Sequence, residues 1–79
     1  LGIERAILFM VHLGELVKEV LHEQGRTVTW FAGRLGCTRP NVYKIFAKAN
    51  FDVSLLWRIS NILNYNFFMR IGELYHDEE

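Results

Sequence analysis

The chain has 79 residues, with nine Lys and Arg against nine Asp and Glu, one Cys, and 51% apolar residues. That length sets one domain with one core and a stability of about 4–12 kcal/mol, and that apolar content excludes a disordered chain. A single cysteine excludes an internal disulfide and a cysteine-built zinc site, and a net charge of zero leaves the placement of charge, not its sum, to carry any signal for a polyanionic partner.

The opening stretch, LGIERAILFMV, is apolar, but it has one Arg, a short apolar run ended by His12, and no small-residue cleavage site, so it does not read as a signal peptide. A transmembrane span needs roughly 20 apolar residues, and no such run exists in the sequence. We read residues 1–11 as an N-terminal extension, with Met10 as the natural start; protein beginning before Met10 on N-terminal sequencing would overturn this. The other reading is that Ile3, Ile7 and Leu8 extend the first helix or cover an interface. The first helix is expected from His12 to Gln24, stopped by Gly25. Leu13, Leu16, Val17, Val20 and Leu21 share an arc of ~140° and form its core face. His12, Glu15, Glu19 and His22 form a row on the other side. That row spans too many turns to hold one metal ion, so a solvated face turned away from any phosphate is expected.

The second helix starts at Thr27 as N-cap and places Val28, Phe31, Ala32 and Leu35 on one face. Trp30 lies opposite that face, either flat against a neighbouring helix or at an interface. Gly36 takes the left-handed conformation that ends the helix, and Cys37 sits in the turn as a small hydrophobe. Thr38 is then the N-cap of a third helix, with Pro40 in its first turn, where a missing N–H removes no intrahelical bond. Val42, Ile45 and Phe46 point inward. Pro40, Tyr43, Lys44 and Ala47 point outward, with Arg39, Asn41 and Lys48 near the edges. From Gln24 to Phe51 there are five basic residues (Arg26, Arg34, Arg39, Lys44, Lys48) and no acidic one. Such a segregated stripe can attract phosphate locally because charges beyond about 10 Å are screened; the plainer reading is a solvated charged face.

Asp52 is expected to cap a fourth helix whose core face is Leu55, Leu56, Ile59, Ile62 and Leu63, leaving Trp57 and Asn61 off that face. Asn64, Tyr65 and Asn66 make a turn. Phe67, Phe68, Ile71 and Leu74 begin a fifth helix, followed by an acidic tail over residues 76–79. Two successive phenylalanines cannot both enter one core from a helix. Trp57 with Phe67 or Phe68 is therefore a candidate interface, the alternative being that these aromatics complete the core of a monomer.

The order small residue, Gly, β-branched residue and apolar residue in Ala32, Gly36, Val42 and Ile45, flanked by GELVKEVL before and by DVSLLWRISNILN and NFF after, resembles the helix-turn-helix of the lambda repressor and Cro class, the XRE family. The resemblance runs from about Leu13 to Leu74. It implies an all-α, compact five-helix domain over residues 12–75 with the helix-turn-helix at helices two and three. It also implies that the start of helix two approaches a phosphate and that helix three enters the major groove. The implied DNA-binding set is Thr27, Thr38, Arg39, Pro40, Asn41, Tyr43, Lys44 and Lys48. Arg39 is suited to guanine O6 and N7, Asn41 to adenine N6 and N7, and Tyr43 to a thymine methyl or a phosphate; Lys44 and Lys48 suit phosphate. Val28 stands where many family members carry Gln.

The implied protein is a cytoplasmic transcriptional regulator acting on a two-fold-symmetric double-stranded DNA operator as a homodimer, either a stand-alone repressor or an antitoxin that also binds a toxin. It needs no cofactor and no metal. A different class, a helical protein-interaction module, would give Trp30 and Trp57 more weight than Arg39 and Lys44. Nothing in the sequence supplies a phosphate loop or a nucleophile paired with a base, so no catalytic residue is assigned.

Overall fold

The computed structural model describes residues 11–77, with side chains described to Tyr75. Among them are five α-helices and no strand: α1 Leu13–Glu23, α2 Val28–Leu35, α3 Arg39–Ala47, α4 Val53–Leu63 and α5 Phe67–Asp77. The expectations for residues 1–9 lie outside the described residues. No described helix is long and apolar enough to cross a membrane.

Short polar side chains fix the helix starts by satisfying N–H groups that the first turn leaves without partners. Thr27 Oγ1 accepts from the Trp30 N–H at 3.0 Å and Asp52 Oδ1 from the Leu55 N–H at 2.8 Å, as expected. Two caps were not anticipated: His12 Nδ1 accepts from the Glu15 N–H at 3.1 Å, and Asn66 Oδ1 from the Met69 N–H at 2.9 Å. Thr38 occupies the extended N-cap position of α3, but its side chain makes no capping hydrogen bond, which corrects the expectation for its hydroxyl. Left-handed residues end three helices, Gly25 (φ 71°), Gly36 (φ 74°) and Asn64 (φ 51°). The fifth helix continues to Asp77, two residues into the stretch expected to be tail.

The inward faces meet in one core. Val17 of α1, Phe31 of α2, Val42 of α3, Ile59 of α4 and Phe67 of α5 are its most enclosed large side chains, each worth about 1.5–3 kcal/mol of burial. The rings of Phe31 and Phe46 lie nearly parallel, 6.5 Å apart, where α2 meets α3. Phe67 is wholly enclosed, and its ring packs against Tyr65 with centroids 4.7 Å apart. It is therefore a core residue and not part of an exposed interface, which falls to its neighbour Phe68. The register of α5 decides this, because residues 100° apart on a helix cannot share a face this narrow.

Helix ends hold the layers together. The N–H groups of Leu13 and Gly14, at the start of α1, donate to the carbonyls of Ala49 and Lys48 just past α3, both at 2.9 Å. Orphan donors of one helix thus meet orphan acceptors at the end of another. The approach is so close that a Cβ on Gly14 would collide with the carbonyl oxygens of Ile45, Phe46 and Lys48. Arg58 of α4 donates from Nη2 to the carbonyl of Leu35 at 2.7 Å, closing the last turn of α2, and Gln24 Nε2 donates to the carbonyl of Leu63 at 2.8 Å.

Candidate nucleic-acid interface

The packing of α3 decides which of its side chains can meet a ligand. Val42 and Phe46 are buried and Ile45 is half-buried, so the opposite surface, with Pro40, Tyr43, Lys44 and Ala47, faces solvent; Arg39, Asn41 and Lys48 are exposed beside it. Tyr43 is 51% exposed, and its ring stands edge-on to Phe46 at 6.1 Å, which steadies it at the rim of the core. Thr38 and Thr27 are exposed at the starts of α3 and α2. All eight residues expected to bind DNA are thus solvent-accessible, and the seven from Thr38 to Lys48 lie on one helix and its two caps.

No basic residue of this region is paired with an acid among the described residues. Among the described residues the one ion pair is Arg70 with Glu73, on α5 at 3.5 Å. Arg39, Lys44 and Lys48 therefore keep their charge available. Phosphate recognition asks for this state, since counterion release scales with the number of phosphates that cations neutralise.

Two grooves flank α3, and they differ in charge. Asn41, Lys44 and Lys48 line one of them together with Arg58 and Cys37, and no carboxylate reaches it. Tyr43 and Phe46 line the other with Glu15, Lys18, Glu19, His22 and Arg26, a mixture of both charges. The His and Glu row of α1, with Glu15, Glu19 and His22 exposed as expected, thus borders α3 on its Tyr43 side. The reason is the docking at Gly14, which brings α1 against the end of α3 and turns the row toward Tyr43. His12 of the same row faces its own helix end as a cap, and no group of three His, Cys, Asp or Glu side chains able to hold a metal ion lies among the described residues.

Arg58 was not anticipated as a neighbour of this surface. Its place between Leu55 and Ile62, both half-buried at the rim of the core, was the available signal. Trp30 lies under two guanidinium groups: the Arg26 carbon is 4.2 Å from the ring centroid and the Arg34 carbon 5.8 Å. Away from α3, Trp57 is 62% exposed and packs against Phe68 with centroids 5.9 Å apart; Met69 is 61% exposed and Val53 68%. Comparison with protein-family models, with curated proteins and with solved structures finds no match to this chain.

Proposed function

We propose that this chain is a sequence-specific, double-stranded-DNA-binding transcriptional regulator with a lambda-repressor-like helix-turn-helix in α2 and α3, a repressor that lays α3 in the major groove of its operator. The observation that carries the proposal is the exposed surface of α3 and its C-cap, where Arg39, Asn41, Tyr43, Lys44 and Lys48 face solvent and no cation is paired with an acid among the described residues. An α-helix with its side chains is about 10–12 Å across, which a groove about 12 Å wide admits. In this reading Arg39 and Asn41 read base edges near the start of the helix. Tyr43 meets a thymine methyl or a phosphate, and Lys44, Lys48, Thr27 and Thr38 hold the backbone.

The exposed Trp57, Phe68 and Met69 surface favours a protein partner as well. We assign it to a second copy of the chain, which would set two α3 helices about 34 Å apart on a two-fold operator. If a toxin covers it instead, the protein is the antitoxin of a pair that represses its own operon. The remaining alternative is an interaction module without specific DNA binding. No catalytic role, cofactor or metal is proposed, and the cytoplasm is the compartment that fits an operator-binding protein.

The test is selection of bound duplexes from a random DNA pool at two salt concentrations. A two-fold-symmetric motif whose affinity falls steeply with salt is the expected result. No enriched motif at either salt would refute the proposal and leave the interaction module.

A further inference from the structure

Duplex DNA presents a phosphate strand on each side of the major groove, so a helix lying there needs cations on both flanks. On the Asn41 flank of α3, Lys44, Lys48 and Arg58 supply them. On the Tyr43 flank the α1 carboxylates of Glu15 and Glu19 would repel the second strand; the cations there are Lys18, on α1 among those carboxylates, and Arg26, in the turn just before the Thr27 cap of α2. From the stacking on Trp30 we infer that Arg26, Trp30 and Arg34 form a phosphate clamp for that second strand. The inference rests on the DNA-binding reading above and adds three residues to it.

Three observations carry it. The first is the stack, with both guanidinium carbons within reach of the Trp30 ring, 4.2 and 5.8 Å from its centroid. Stacking uses the flat face of a guanidinium and leaves its N–H edges free, which is the geometry of bidentate phosphate binding. Second, Arg26 borders the same groove as Glu15 and Glu19, yet it forms no ion pair with either, and Arg34 forms none with any described residue. Third, Trp30 is half-buried, with part of its ring packed on the core from beside the face that Phe31, Ala32 and Leu35 bury, which fixes the ring and leaves the rest of it to the two arginines. Trp30 is a positioning residue, and the two arginines make the contact.

The experiment compares the wild-type chain with the double variant Arg26→Gln, Arg34→Gln and with Trp30→Ala and Trp30→Phe, by fluorescence anisotropy on the selected duplex across a salt series. Circular dichroism checks that each variant is folded. At about 0.9 per phosphate, the double variant should flatten the log–log salt slope by about 1.8 and keep the sequence preference. Trp30→Ala should keep most of the slope and weaken binding about five-fold, with Trp30→Phe in between. A wild-type slope in the double variant overturns the clamp, leaves the α3 reading standing, and turns the stack toward an acidic protein surface. Wild-type affinity in folded Trp30→Ala overturns the positioning role. A wild-type chain that selects no duplex fails at the DNA reading, a distinct result that removes the clamp with it.

Discussion

Replacing Gly14 with alanine adds one methyl group where three backbone carbonyls, those of Ile45, Phe46 and Lys48, already occupy the space. Backbone atoms cannot swing aside as a side-chain tip can, so α1 has to lift away from the end of α3. Lifting it stretches the two hydrogen bonds from Leu13 and Gly14 to Ala49 and Lys48, at about 1 kcal/mol each, and strains or loosens the packing behind them by about 1–3 kcal/mol. The better helix propensity of alanine returns about 1 kcal/mol. The expected net loss is about 2–4 kcal/mol, a large part of the stability of a domain this size. The melting temperature should fall by about 10–30 °C, read by far-UV circular dichroism with urea titration alongside. Gly33→Ala is the matched control: an added Cβ there has nothing within 4 Å, so the same substitution should stabilise by about 0.4–1 kcal/mol. If Gly14→Ala melts at or above the wild type, α1 is not docked on α3 through its first turn.

On the selected duplex, Arg39→Ala should weaken binding by about 1–3 kcal/mol and relax one base position; an equal loss on every sequence would assign Arg39 to phosphate. Lys44→Ala should lower affinity across sequences and flatten the salt slope by about one unit, and an unchanged slope would remove Lys44 from the interface. Gly36→Val should cost about 1–3 kcal/mol of stability through strain at a left-handed residue. The nearest atom to a Cβ there is Arg58 Nη2 at 3.9 Å, so crowding adds little, and Gly36→Asn should lose less. An unchanged melting temperature for Gly36→Val would place the α2 boundary elsewhere.

What could be read in the sequence was what depends on neighbours along the chain. The apolar spacing of Val28, Phe31, Ala32 and Leu35, the stop at Gly36 and the caps at Thr27 and Asp52 are local signals, and both ends of α2 and the start of α4 follow from them. Which of Phe67 and Phe68 enters the core depends on how α5 is rotated against α4, and that rotation is set by contacts distant in sequence. Gly14 carried no local signal at all. Inside an apolar helical pattern it reads as a weak helix former, and its purpose is visible only once Phe46 and Lys48 lie against it. The same holds for Arg26 and Arg34, which counted as charges in a stripe until Trp30 was found beneath them. At the candidate interface, the exposed positions of α3 were legible because its buried face was. The bordering groups, Glu15, Glu19 and Arg58, were not, because other helices bring them there.

Helix α3, nine residues long, is too short to order itself: isolated helices below about 12–15 residues are marginal in water. Its position is imposed by the burial of Val42 and Phe46, by the α1 N–H groups at its C-terminal end, and by a turn that Arg58 braces through Leu35. Base reading and phosphate attraction depend differently on that rigidity. A bidentate contact to guanine fails when its donors shift by a fraction of an ångström, whereas the Coulomb energy of a lysine and a phosphate changes little over the same distance. Loosening the α1–α3 docking should therefore erode discrimination before it erodes affinity. Gly14→Ala, assayed at a temperature where it remains folded, should bind selected and scrambled duplexes with more nearly equal affinity while keeping its salt slope, although Gly14 itself is buried and touches no DNA. If the ratio of specific to non-specific binding is unchanged in a variant that is measurably less stable, α3 draws its rigidity from α2 and the core alone, and the helix-end contact serves stability only.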